Sequence, residues 1–114
     1  MFPSQPEFLR HILDECEFIL QYAKDKSEEA IIADETLNRA LIRSLEIIGE
    51  AVKNLDGDFK LKYPHIDWKE IAGMRDKLIH GYFGIDYDIV YSTIKNNIPD
   101  LHHELKRIIE LECR

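Results

Sequence analysis

Three side chains that could carry out acid–base and electrostatic chemistry stand within eight positions of the chain: Arg75, His80 and Tyr82. An unperturbed histidine has a pKa of about 6.5, so His80 could take up or release a proton near neutral pH. Arg75 stays charged, and its planar guanidinium can bind two oxygens of one anion. Tyr82 could donate a hydrogen bond, orient His80 or stack on a base. These residue types suit proton transfer beside an anionic centre.

The helix that carries Arg75 is predicted to begin at Asp67, where Asp67 and Glu70 fit a capping box. At 100° per residue, Arg75 falls at the centre of the helix's apolar face. That face consists of Trp68, Ile71, Ala72, Leu78 and Ile79. A guanidinium there must be paired or face a cleft, because burying it alone is costly. Arg75 is therefore either functional or a structural residue that snorkels or pairs with a carboxylate such as Glu46 or Glu50.

His80 follows Arg75 by five residues, which is about 140° around an ideal helix. The two side chains would converge only if the helix ended before His80 or a second subunit completed the cleft. Gly81 and Gly84 predict that the helix ends near residues 80–84. A lone histidine at a helix C-terminus is often only a surface or capping residue. Tyr82 returns to the Arg75 side if the helix persists.

Earlier segments that must position this helix have the same apolar periodicity. Ser4 and Glu7 fit a capping box, Ser27 is expected to cap a short turn through Ile32, and Asp34 is expected to cap a long helix. The apolar stripe of the first helix is Leu9, Ile12, Leu13, Cys16, Ile19, Leu20 and Ala23. That of the long helix is Leu37, Ala40, Leu41, Ser44, Leu45, Ile48, Ala51, Val52 and Leu55, and Asp56-Gly57-Asp58 is expected to end it.

The last helical stretch has apolar residues at alternating spacings of four and three, typical of a coiled-coil-like seam. These are Tyr87, Tyr91, Ile94, Ile98, Leu101, Leu105 and Ile108. Pro99 falls inside the stretch without changing its phase, so we predict one kinked helix. Asn96 and Asn97 could line a cleft or cap the kink. Gly49 in the long helix predicts close approach of another backbone, because glycine there costs roughly 1 kcal/mol against alanine.

The chain length predicts one domain over residues 1–114, and the helical periodicity without strand-like alternation predicts an all-α fold, an antiparallel four- to five-helix bundle with a kinked last helix. No apolar run approaches the roughly 20 residues that span a bilayer, and no signal peptide is evident, so we expect a cytoplasmic protein. Cys16 and Cys113 are expected to be free thiols. We predict no metal site, because no HxxxH, CxxC or HExxH spacing occurs.

The net charge of −7 argues against a general nucleic-acid binder, because phosphate contacts need Lys and Arg. The charge is uneven, however. Residues 59–82 hold five basic and three acidic side chains, a balance of +2 that leaves −9 for the rest of the chain. An anion-binding surface should therefore be local and near His80. Lys77 and Asn97 are candidate substrate-binding residues.

The run Arg75-Asp76-Lys77-Leu78-Ile79-His80-Gly81-Tyr82 has an R-x4-H-x-Y signature and resembles the HepT-like toxins of the HEPN superfamily. The segment LEIIGEA at residues 45–51 resembles the second helix of those proteins. Helix order, chain length and the proline in the last helix agree, so the resemblance covers nearly the whole chain. It implies a HEPN-like homodimer that cleaves RNA without metal or cofactor, with Arg75 and His80 as catalytic residues in a composite cleft.

The resemblance also implies a partner, an MNT-type nucleotidyltransferase antitoxin that adenylylates Tyr82. Bulky AMP beside Arg75 and His80 would block the cleft and add negative charge there. Two other classes of function stay open. The acidic charge favours a non-catalytic nucleotide-binding or adaptor bundle that acts with a nucleotidyltransferase. The apolar seam and the aromatic residues near Tyr82 also fit a dimeric scaffold in which Arg75 is a paired core residue.

Overall fold

Helices account for the regular structure of residues 5–78 and 84–112, the parts of the chain that the computed structural model describes. In order they are α1 Gln5–Ala23, α2 Glu28–Ala33, α3 Glu35–Lys53, α4 Gly57–Lys62, α5 Trp68–Ala72, α6 Met74–Leu78, α7 Tyr87–Ser92, a π-helical segment Thr93–Asn97 and α8 Ile98–Glu112. The prediction of an all-α bundle is confirmed.

Side-chain caps fix the starts of three helices where the sequence predicted them. Ser27 accepts a hydrogen bond from the Ala30 amide at 3.1 Å. Asp34 accepts from the Leu37 amide at 3.0 Å, and Asp67 from the Glu70 amide at 3.0 Å. Each cap satisfies an amide that has no partner within its helix. The cap predicted at Ser4 lies outside the described residues.

The core lies where α1 packs against α3 and α8. The three predicted apolar stripes meet there, and their largest fully buried members are Leu9, Ile12, Ile19, Leu41, Leu45, Ile48, Val52, Ile98, Leu105 and Ile108. Two polar side chains, Asn38 and Ser44, are also buried, and the Asn38 amide donates to the carbonyls of Ile31 and Ile32 at 3.3 and 3.1 Å. Those bonds join the last turn of α2 to α3, so burial of this amide is compensated.

Gly49 brings α3 against the backbone of α5, as predicted. A Cβ atom at Gly49 would lie 3.2 Å from the carbonyl oxygen of Ile71 and 3.6 Å from that of Ala72. The absence of a side chain therefore sets how closely α5, and the α6 that follows it, can pack on α3.

Residues 57–62 form a helix that the sequence analysis missed. Asp56-Gly57-Asp58 was expected only to end the preceding helix, which stops at Lys53, but α4 begins at Gly57. Tertiary contacts hold α4 in place. The Phe59 ring packs 6.0 Å from the Trp68 ring, and the Trp68 indole donates to the Lys60 and Tyr63 carbonyls at 3.2 and 3.0 Å. The sequence of a six-residue segment has no pattern that predicts such tertiary contacts, so this helix could not be predicted from it.

The predicted third helix is interrupted at Gly73, which separates α5 from α6. The Gly73 amide still bonds to the Lys69 carbonyl at 3.0 Å, whereas the Asp76 amide bonds to Gly73 itself at 3.1 Å. The second bond spans three residues, so the chain is wound more tightly there than in an α-helix. Every side chain after Gly73 is consequently rotated away from the position that an unbroken helix would give it.

The predicted continuity of the last helix across Pro99 is confirmed, because α7, the π-helical segment and α8 follow one another without a gap. The Ile98 amide bonds to the Thr93 carbonyl, five residues back. Proline has no amide hydrogen and clashes with the carbonyl four residues before it, so the wider π turn accommodates Pro99. No helix within the described residues has the length and apolar character needed to cross a membrane.

Candidate active site

Arg75 lies on the exposed side of α6, where it forms an ion pair with α3. Its Nε donates to Oε2 of Glu46 at 3.2 Å, with 56% of the Arg75 side chain and 21% of the Glu46 side chain exposed. The prediction that Arg75 occupies the centre of an apolar face is therefore wrong. The break at Gly73 rotates α6 so that Met74 and Leu78 are buried instead. The interpretation that Arg75 pairs with Glu46 is confirmed.

The pair holds the guanidinium while leaving most of its donors for other acceptors. The bond to Glu46 uses the Nε hydrogen, one of five N–H donors that an arginine carries. The two terminal amino groups form the fork that suits a phosphate or carboxylate. A side chain held at Nε and more than half exposed is restricted in its orientation yet open to an anion.

His80 and Tyr82 lie in residues 79–83, outside the described residues, so their predicted roles stay predictions. The flanks of this segment are described. The Asp86 amide donates to the Leu78 carbonyl at 2.9 Å, and the Asp86 side chain caps α7 through the Ile89 amide at 3.2 Å. Gly84 has a φ of +101°, a backbone conformation that favours glycine. The described residues Leu78, at the end of α6, and Asp86, just before α7, are therefore hydrogen-bonded to each other.

Lys77 and Asn97, the candidate substrate-binding residues, line one cavity of about 250 Å³. This cavity, the α5–α8 groove, lies between α5 and α6 on one side and α7, the π-helical segment and α8 on the other. Lys77 follows Arg75 by two residues, about 200° around α6. The structure thus brings Lys77 and Asn97 together but places Arg75 on the other side of α6, against Glu46.

Carboxylates from other helices offset the positive balance of residues 59–82. Lys62 pairs with Glu112 at 2.8 Å, and Arg75 pairs with Glu46 at 3.2 Å. The hydrogen bonds from Lys62 and Tyr63 lower the pKa of Glu112, and the bond to Glu112 raises the pKa of Tyr63 to about 12. The cationic surface expected near His80 is therefore partly neutralised by neighbouring side chains.

Carboxylates at the α5–α8 groove were missed by the sequence analysis. Asp67, Glu70, Asp100 and Glu104 all line it. A signal was present in α8, because Asn97, Asp100 and Glu104 recur at spacings of three and four and so form a polar stripe beside the apolar seam.

His65 and His102 each contact a carboxylate near the surface. His65 contacts Glu104 at 2.9 Å and lowers the pKa of that carboxyl, and His102 contacts Glu17 at 3.5 Å. Within residues 5–78 and 84–112 no three His, Cys, Asp or Glu side chains are grouped to hold a metal ion. Cys16 is buried in the core, and burial raises its pKa to about 12.

Comparison with known proteins identifies the family of this chain. The family model "Ribonuclease HepT-like" matches residues 12–108. The chain is 53% identical over 105 residues to a protein of Caldanaerobacter subterraneus subsp. tengcongensis named "Putative RNase", covering 92% of this chain and 94% of that protein. It is 48% identical over 103 residues to a "Putative RNase" of Methanocaldococcus jannaschii, covering 90% and 89% of the two chains.

A third relative, from Thermococcus cleftensis, is named "Probable ribonuclease HepT" and is 41% identical over 105 residues, which cover 92% of this chain and 96% of the relative. No solved structure matches significantly. The family model spans most of the chain, and these relatives match over nearly their whole length. This chain therefore belongs to the HepT-like ribonuclease family.

Proposed function

We propose that this chain is a metal-independent endoribonuclease toxin in which Arg75 and His80 act together. Family membership supports the ribonuclease class. The observation that carries the role of Arg75 is its position, exposed on α6 while its Nε is bonded to Glu46. A guanidinium held in this way can bind phosphate oxygens with little loss of side-chain freedom.

The chemistry needs only proton transfer and charge stabilisation, because RNA carries its own nucleophile. In the proposed reaction His80 acts as a general base and accepts the proton of the ribose 2′-hydroxyl. The 2′ oxygen then bonds to phosphorus, the bond from phosphorus to the 5′ oxygen breaks, that oxygen takes up a proton from water, and the His80 imidazolium returns its proton to the solvent. The products are a 2′,3′-cyclic phosphate and a 5′-hydroxyl. Arg75 stabilises the negative charge that develops on the phosphorane oxygens.

We propose that the working form is a homodimer. On a straight helix Arg75 and His80 would point about 140° apart, so one copy would supply both groups to one phosphate only if the helix ended before His80. A cleft between two copies would let each motif complete the other. The resemblance to HepT-like toxins supports the same arrangement.

Regulation is proposed to act on Tyr82. An MNT-type nucleotidyltransferase antitoxin would transfer AMP from ATP to the Tyr82 hydroxyl and release pyrophosphate. The added phosphate would bring negative charge to the place where the RNA phosphate must bind beside Arg75. After co-expression with such an enzyme, intact-mass analysis should show one AMP per chain, and Tyr82→Phe should remove it. An unmodified wild-type chain under those conditions would count against this regulation.

Cleavage of a fluorogenic RNA in the presence of EDTA tests the proposed reaction. We expect activity in the wild type and a loss of roughly 100-fold or more in His80→Ala and in Arg75→Ala. His103→Ala and Arg39→Ala are matched controls, because both residues are exposed and lie outside the cavity lined by Lys77 and Asn97. Equal cleavage by His80→Ala and wild type would refute the assignment.

A non-catalytic adaptor bundle is the second candidate, and the charge distribution favours it. The chain carries a net charge of −7, and Lys62, Arg75 and Lys77 are each paired with a carboxylate. This alternative predicts that the purified chain forms a complex with a nucleotidyltransferase but cleaves no RNA at any chain concentration. The cleavage assay therefore separates the two.

A further inference from the structure

The α5–α8 groove has an apolar floor that a neighbouring chain could cover. Its six apolar lining residues are Ile66, Ile71, Met74, Ile89, Ile98 and Leu101. Ile71 and Ile89 are only partly buried, so they present hydrocarbon to solvent at the base of an open cavity. Concave apolar surface with polar groups around it is typical of binding sites.

The charges at the edge of the groove decide which kind of ligand fits it. Four carboxylates line the cavity together with one lysine, Lys77, which gives a balance of −3 when His65 is neutral. These carboxylates are Asp67, Glu70, Asp100 and Glu104. A phosphate would be repelled there, whereas a cation would be attracted. The groove is therefore electrostatically unsuited to RNA, which argues against Lys77 and Asn97 as substrate-binding residues, and it is suited to a basic ligand.

The ion pairs at the edge can exchange partners. Glu70 and Lys77 are about half exposed, with side-chain exposures of 50% and 53%, and Glu104 is shared between His65 and Arg107 at 2.9 and 3.2 Å. Solvent-exposed pairs of this kind contribute only about 0–1 kcal/mol. An incoming Lys or Arg can therefore compete for these carboxylates at little cost.

The size and walls of the groove favour a peptide segment over a small molecule. Its volume of about 250 Å³ lies below the roughly 300–1,000 Å³ of typical small-molecule sites, but it can hold one or two anchor side chains. One wall is formed by Thr93 and Asn97 of the π-helical segment, a distortion often found at functional sites. A helix lying in such a groove inserts apolar residues spaced three or four apart.

From these observations we infer that the α5–α8 groove is the docking site for a basic amphipathic helix of a partner protein. Leucine or similar apolar side chains of the partner helix contact Ile71 and Ile89, and flanking Lys or Arg side chains of that helix pair with Glu70 and Asp100. This interaction is independent of the proposed RNA cleavage, because Arg75 lies about 200° away from Lys77 around α6. Loss of docking and loss of cleavage are thus separable.

A synthetic helical peptide tests this inference. The probe has Leu at positions i, i+3, i+4 and i+7 with Lys elsewhere, and the control peptide replaces every Lys with Glu. Fluorescence anisotropy measures affinity, and amide chemical shifts locate the bound peptide on the full chain. We expect chemical-shift changes centred on Ile71, Ile89 and Asn97. The Glu peptide should bind at least roughly tenfold more weakly than the Lys peptide.

Charge variants separate docking from general attraction to an acidic protein. Glu70→Lys with Asp100→Lys should weaken the Lys peptide roughly tenfold, and Glu70→Gln with Asp100→Asn should weaken it less. Asp14→Lys with Glu29→Lys makes the same charge change on exposed residues of α1 and α2. The inference would be overturned if this control weakened binding equally, or if the chemical-shift changes were spread over the whole surface. It would also be overturned if the shifts depended on protein concentration in the absence of peptide. Displacement of the peptide by spermidine at micromolar concentration would identify a small amine as the occupant instead, and would also overturn it.

Discussion

Oε2 of Glu46 lies 3.2 Å from Nε of Arg75, and this contact joins the segment LEIIGEA on α3 to the motif helix α6. The LEIIGEA segment and the R-x4-H-x-Y motif, which each resemble HepT-like toxins, are thus joined by one ion pair. Because the pair is partly exposed, its importance lies in orienting Arg75, with only a small contribution to stability.

Glu46→Ala should lower RNA cleavage about tenfold while leaving the fold intact, because Arg75 would lose its fixed orientation. The free energy of unfolding should fall by no more than about 1 kcal/mol. Glu50→Ala is the matched control, since Glu50 lies one turn along α3 and pairs with Lys53 at 3.5 Å. Unchanged kcat in Glu46→Ala would show that Arg75 needs no such support.

Gly49→Val should destabilise the protein by about 2 kcal/mol, because even a Cβ at Gly49 would lie 3.2 Å from the Ile71 carbonyl oxygen. Gly57→Val is the control, since nothing lies within 4 Å of a Cβ there. Its effect should stay within roughly 0.5 kcal/mol. Urea unfolding monitored by circular dichroism measures both. Equal stabilities would contradict the close packing of α3 on α5.

Acid should weaken the contact between α4 and the end of α8. Lys62 and Tyr63 hold the pKa of Glu112 below its ordinary value of 4.5 in the folded chain. A lowered folded pKa means that the stabilisation is fully present above pH 4.5 and is lost as the pH falls through the lowered value. Glu112→Gln should therefore make the free energy of unfolding fall less steeply between pH 6 and pH 3 than it does in the wild type. Urea unfolding at each pH measures this. Glu110→Gln is the control and should leave the pH dependence unchanged.

Cys16 should resist thiol reagents in the folded chain. Burial, reinforced by Glu15 and Glu17, raises its pKa from 9.0 to about 12, which leaves roughly a thousandfold less thiolate at pH 8. In a Cys113→Ser background Cys16 is the remaining thiol, because the chain has two cysteines. Its reaction with Ellman's reagent should be slow in buffer and fast in urea. Rapid labelling of the folded protein would contradict its burial.

The sequence predicted those features that depend on local pattern. Ser27, Asp34 and Asp67 cap helices because each needs only its own side chain and an amide three residues on. The apolar stripes were equally clear, since one face of each long helix must be buried. Gly49 was identified as a close approach because a glycine there weakens a long helix for no local reason.

Features that depend on tertiary contacts were not predictable in the same way. A single glycine at position 73 does not by itself indicate that a helix is interrupted. The periodicity of an unbroken helix therefore placed Arg75 on the apolar face, whereas Arg75 is exposed and paired with Glu46. Helix α4 forms because Trp68, distant from its start, packs on Phe59. The α5–α8 groove appears only when α5 and α8 are brought together.

The π-helical segment also determines where this protein can change length during evolution. Removing a residue from the middle of an α-helix rotates everything after it by about 100° and would turn Leu105 and Ile108 out of the core. A π turn already holds one residue more than an α turn. Deleting exposed Asn96, with Pro99→Ala to restore the missing amide, would convert Thr93–Asn97 to regular helix and keep α8 in register. This segment is thus the position in the last helix that best tolerates a deletion.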